Sequence, residues 1–175
     1  MKPWQVLVLI GAIVLALYVA LNVFVLHKII ASSAKLKQRQ NALSIILSEK
    51  KEVLLSQIEG FRSVKVNIRD TDEEVFTKIR ALELDTLKAE EVHDVAVLLR
   101  DGQSRFNYLS GKNPWATKTN EYDTFTLTGK DLDSNYHRAV MAYNTDLTAY
   151  NYWNSIPLCH WIPFLLGYRK RERIA

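Results

Sequence analysis

Between Val6 and Leu26 the chain is apolar for 21 residues, with side-chain polar atoms only at Tyr18 and Asn22 and with Gln5 just outside the run. At a helical rise of about 1.5 Å per residue, such a run spans roughly the 30 Å hydrocarbon core of a bilayer. A cleavable signal peptide has an apolar region of only about 7–15 residues. His27 and Lys28 also separate the run from the cleavage-like Ser32-Ser33-Ala34. The pattern therefore predicts an uncleaved membrane anchor over residues 1–28, with Trp4 and Tyr18 of the type that settles near interfaces.

Behind the anchor the periodicity changes. Ile29 to Glu59 holds neither Gly nor Pro, and Leu36, Leu43, Ile46, Leu47, Leu54, Leu55 and Ile58 recur at three- and four-residue steps. This predicts a helix that continues from the anchor and ends near Gly60. Thr71-x-x-Glu74 has the form of a capping box, so a second helix is expected from Thr71. Its apolar stripe runs through Val75, Ile79, Leu82, Leu87, Val92, Val95, Leu98 and Leu99, with a break at Asp101-Gly102 or earlier, around Ala89. Residues 103–130 are punctuated by Gly111, Pro114 and Gly129 and by repeated threonines. Tyr122 to Thr128 alternates like a strand but has no partner strand, and it is read as helix or irregular loop. A last helix, for which Thr128-x-x-Asp131 offers a cap, is marked by Leu132, Tyr136, Val140, Tyr143, Leu147, Tyr150 and Trp153. The expected fold is all-α: one amino-terminal transmembrane helix, an antiparallel helix bundle over 29–157, and an apolar, basic tail over 158–175.

Charge adds direction. The net charge is +4, and the first acidic residue is Glu49. Lys28, Lys35, Lys37 and Arg39 follow the apolar run, against Lys2 and the terminal amine before it. The positive-inside rule then predicts a single-pass protein of the cell (inner) membrane, amino terminus out and bundle cytoplasmic. A single cysteine, Cys159, fits a reducing compartment. The second basic cluster, Arg169, Lys170, Arg171 and Arg173, also adjoins an apolar stretch. Membrane lipid is therefore the expected partner of both clusters and nucleic acid is not, since no basic stripe interleaved with aromatics is present. The tail either packs back on the bundle or forms an interfacial foot, with Trp161, Phe164 and Tyr168 at headgroup level and Arg169, Lys170 and Arg171 on phosphates.

Tyr143-Asn144 and Tyr150-Asn151 repeat seven residues apart, and Tyr136 precedes them by seven. Seven residues are nearly two helical turns, so the rings share one side of the helix and the asparagines form a row beside them. Such a row either fixes the register of a bundle or recognises a partner. Arg138, Tyr143, Asn144, Tyr150, Asn151, Pro157 and Gly167-Tyr168 together resemble the carboxyl-terminal signature of the LemA family. Asn113-Pro114-Trp115 sits where that family tends to have a Tyr-Pro turn, and Leu47 to Leu55 is similar to another family segment, with Lys50, Glu52 and Leu55 replacing its Arg, Asp and Pro. The resemblance implies an amino-terminal membrane helix with the carboxyl end inside and a four-helix bundle. It implies no catalytic residues.

Nothing in the sequence asks for chemistry. Cys159 lies between apolar neighbours and His160, and reads as a buried, inert thiol. Asp133 and His137 at i, i+4 read as an ordinary helix-surface pair. There is no His-Glu-x-x-His, no Gly-x-Ser-x-Gly and no phosphate loop. No catalytic, cofactor-binding or metal-ligating residue is expected. The function expected is a non-enzymatic interaction or scaffold protein whose Tyr-Asn-lined helix faces a protein partner or a second copy. The alternative is a binder of anionic membrane surfaces through the two basic clusters.

Overall fold

The computed structural model describes residues 2–84, 87–118, 120–159 and 161–174, without the side chains of residues 120 and 121. Five helices are present among the described residues: α1 Pro3–Ser63, α2 Asp70–Arg80, α3 Val92–Lys112, α4 Asn120–Trp153 and α5 Trp161–Leu165. No strand occurs among the described residues.

Several boundaries differ from the sequence pattern, each for a physical reason. The capping box does not form: α2 starts at Asp70, the cap position is Arg69, and no side chain caps it. Asp70, Asp72 and Glu73 instead put three carboxylates in the first turn, where the helix dipole favours negative charge. The stripe beginning at Val75 is split between α2 and α3, so the break lies near Ala89 and not at Asp101-Gly102. Gly102 is buried within α3, where a Cβ would lie 2.3 Å from Ile79 Cδ1 and 3.0 Å from Leu54 Cδ2. The glycine there allows close packing and ends nothing. Residues 122–128, read as helix or irregular loop, are helical, and Thr126 and Thr128 donate their hydroxyls to the carbonyls of Tyr122 and Thr124 four residues back. Thr128 is therefore inside α4 and is not its cap.

The chain forms two compact units: Met1–Gln38 with Asn144–Arg173, and Arg39–Tyr143 with Ile174–Ala175. In the second, the core unit, Leu43, Leu47, Leu54, Ile58 and Phe61 of α1 are buried together with Phe76 and Ile79 of α2. Val92, Val95, Leu99 and Phe106 of α3, and Leu132, Tyr136 and Tyr143 of α4, complete this interior. Each such side chain removed from water contributes about 1.5–3 kcal/mol. Phe61, Phe106 and Tyr122 join α1, α3 and α4 in an aromatic cluster, with Phe61 and Phe106 centroids 4.7 Å apart. Ion pairs fix the flanks. Arg105 holds the buried Asp72 at 2.8 Å and Asp101 at 3.0 Å. Lys50 reaches Asp133 at 2.5 Å and lies over the Tyr136 ring.

In the first, the amino-terminal unit, residues 3–17 of α1 are all exposed. A buried stripe then begins with Asn22, Val25, Ile29 and Leu36. Leu147 and Tyr150 of α4 are buried in the same unit, and Trp153 meets Phe24 edge-on at 5.9 Å.

Candidate functional site

The second Tyr-Asn pair of α4, Tyr150-Asn151, is occupied by the chain's own carboxyl-terminal tail. After α4 ends at Trp153, a turn leads to the short α5, which closes at Leu165. Gly167 follows with φ +80°, and two hydrogen bonds wrap this end: Gly167 N–H to the Phe164 carbonyl at 3.1 Å and Tyr168 N–H to the Pro163 carbonyl at 2.9 Å. That is the Schellman pattern, which needs a left-handed residue where glycine fits without a Cβ clash. The reversal sends the tail back antiparallel to α4. Asn154 Nδ2 donates to the Tyr168 carbonyl at 3.1 Å, and Tyr150 Oη donates to the Arg169 carbonyl at 2.9 Å. Asn151 then pairs reciprocally with Arg171: its Nδ2 donates to the carbonyl at 2.9 Å and its Oδ1 accepts the backbone N–H at 3.1 Å. Arg173 reaches Thr148 Oγ1 at 3.3 Å.

Electrostatics support this clamp. Burial pushes the Tyr150 phenol up, with Arg171 pulling it part of the way back, so the hydroxyl stays protonated and able to donate. The Arg171 guanidinium stands over the Tyr150 ring at 5.5 Å and that of Arg169 over Phe164 at 6.0 Å. Asparagine is a poor residue inside a helix, and here Asn151 uses both amide atoms on a second segment.

The other end of the tail meets the apolar run of α1. Tyr18 Oη donates to the Leu158 carbonyl at 3.0 Å, and Trp161 Nε1 donates to Tyr18 Oη at 2.9 Å. Asn22 Nδ2 donates to the Tyr18 carbonyl at 2.8 Å, one turn back. Leu158, Trp161, Phe164, Leu165 and Leu166 are all more than half exposed, and Arg169, Lys170 and Arg171 are exposed beside them. The tail thus carries an apolar surface followed by a cationic one, held by Tyr18 at one end and by the Tyr-Asn row at the other.

The remaining expected residues fall as follows. Tyr143 is fully buried and Asn144 half-buried, one repeat before the clamp, while Arg138 and Pro157 are exposed. Lys28 is half-buried over the Phe24 ring at 5.3 Å; Lys35, Lys37 and Arg39 are exposed. Cys159 is buried, which pushes its thiol up and away from the reactive thiolate. Asp133 faces Lys50, and His137 meets the Tyr136 ring edge-on. His160 lies outside the described residues. Among the described residues no group of three His, Cys, Asp or Glu is arranged to hold a metal. The sequence pattern did not single out Asn154, nor the role of Tyr18 and Asn22. Their signal was there, as two polar groups one turn apart inside an otherwise apolar run. No family model, curated protein or solved structure matches the chain.

Proposed function

We propose that this chain is a non-enzymatic, membrane-anchored protein that acts at an anionic lipid surface. In this reading α1 crosses the cell (inner) membrane once, amino terminus out, and the core unit is a cytoplasmic antiparallel four-helix bundle. The tail is an interfacial foot, with Trp161, Phe164 and Tyr168 among acyl chains and headgroups and with Arg169, Lys170 and Arg171 on phosphates. Lys28, Lys35, Lys37 and Arg39 form its second cationic contact. The similarity of Arg138, the Tyr-Asn pairs, Pro157 and Gly167-Tyr168 to the LemA signature supports divergent membership of that family, and Gly167 and the second Tyr-Asn pair are residues that shape the clamp.

One observation carries the reading: the Trp161 indole is bonded to Tyr18, inside the apolar run. Tyr18 precedes Leu26 by eight residues, about 12 Å of helix. If the run lies in hydrocarbon, a side chain bonded to Tyr18 lies near it too. The test is a full-length protein in which Trp4, Trp115 and Trp153 are replaced by Phe, reconstituted in vesicles containing doxyl-labelled lipid. Trp161 fluorescence is expected to be quenched, most strongly by labels in the upper acyl chain. An unquenched Trp161 removes the foot and shifts the weight to a second reading, a scaffold that uses α4 on a protein partner or a second copy. The exposed Met141 and Tyr152 on α4 favour that second reading.

A further inference from the structure

The core unit carries a cleft of about 570 Å³ lined by α1, α3 and α4. That volume is in the range of small-molecule sites, roughly 300–1,000 Å³. Four features of its wall bear on what it could hold. Gln57 sits in the apolar stripe of α1 between Leu54 and Ile58, is only 5% exposed, and leaves its Oε1 without a hydrogen-bond partner. A buried acceptor without a donor destabilises the fold, and leucine at this position would not. Arg100 and Lys130 present cations at the rim and belong to no ion pair among the described residues, whereas the charge of Lys50 is taken by Asp133. Phe125 and the buried Tyr136 give the wall two aromatic faces. Gly129 lies in the middle of α4, where glycine weakens a helix, and a Cβ there would meet nothing within 4 Å. Gly102 is required by its neighbours; Gly129 is not, and what its missing side chain preserves is the open volume of the cleft.

We propose that this cleft binds a small organic anion that carries a planar ring. The ring lies against Phe125 and Tyr136. An N–H or O–H donor on it satisfies Gln57 Oε1, and its phosphate or carboxylate rests on Arg100 and Lys130. The site lies within the core unit and stands independently of the membrane reading.

The test is calorimetric titration of the full chain, in nanodiscs of zwitterionic lipid, with adenosine monophosphate and with indole-3-acetate, using inorganic phosphate as the ringless control. At least one ring-bearing anion is expected to bind saturably and at equimolar ratio, about tenfold or more tighter than phosphate. Arg100→Gln with Lys130→Gln, both at exposed positions, is expected to weaken that binding about tenfold or more. Gly129→Leu is expected to abolish it with helicity retained, because leucine favours the helix and fills the cleft. Gln57→Leu is expected to weaken it while raising the melting temperature. The proposal is overturned by the absence of saturable heat for both anions up to about 10 mM. It is equally overturned by phosphate binding as tightly as they do, or by binding that survives the double charge neutralisation unchanged.

Discussion

Residues 3–17 and 43–61 belong to one helix, α1, and place their apolar side chains by opposite rules. In the first stretch every position is exposed, with Leu7 at 70% and Leu15 at 62%. In the second, Leu43 and Leu47 are fully buried while Ser48, Glu49 and Lys50 lie half-buried or exposed between them and Leu54. A stripe needs only neighbouring helices on one side, and the core unit supplies them. A ring of leucine, valine and isoleucine finds no such cover in its own unit, and the stretch is long and apolar enough to cross a membrane. The lesson is that periodicity, more than hydrophobic content, distinguishes the stretch of α1 that the core unit covers from the stretch that is apolar all round.

The comparison is broken most severely by charge. Val14→Asp with Leu15→Arg should cost about 2.5–3.5 kcal/mol per charge on membrane insertion. Alkaline extraction should then release the protein, while the urea midpoint of the core unit stays where it was. The reverse dissociation comes from Leu47→Ala, which should lower the stability of the core unit by about 2–5 kcal/mol in urea titrations and leave extraction unchanged. Gly102→Ala, forced against Ile79 and Leu54, should lower it by about 1–3 kcal/mol. Asn151→Ala removes both bonds to Arg171 and should loosen the tail by about 1–3 kcal/mol. Its signature would be faster tryptic cleavage after Arg169, Lys170 and Arg171 without a change in melting temperature. The smallest effect has the opposite sign: Gly129→Ala should raise the melting temperature, by about 0.5–1 kcal/mol of stability. A decrease there would mean that the helix needs glycine for a reason the open space beside it does not provide.

Much of this arrangement is legible from residue order because it depends on local period. The apolar run, the stripe from Leu43 to Ile58 and the aromatic face of α4 all follow from spacing along one element. What spacing misreads is decided by contacts from elsewhere. Asp101-Gly102 looks like a breaker until Ile79 and Leu54 close over Gly102, and the threonines of α4 look strand-like until their hydroxyls turn back on their own helix. The clamp is harder still. The Tyr-Asn spacing marks Tyr150 and Asn151, but what they hold is the backbone of residues 169 and 171, and a carbonyl has no letter in the sequence. Gln57 belongs between these cases: a polar residue inside an apolar stripe is visible, and only the structure reveals that its oxygen lacks a donor.

The clamp has a consequence for how the tail can change. Asn154, Tyr150 and Asn151 bind the carbonyls of Tyr168, Arg169 and Arg171 and one main-chain N–H, and apart from the Arg171 guanidinium over Tyr150 they are blind to side-chain identity. Lys170 can therefore be rewritten to another residue with the tail still docked, so that position is inherited through the backbone and charge is left as a separately adjustable trait.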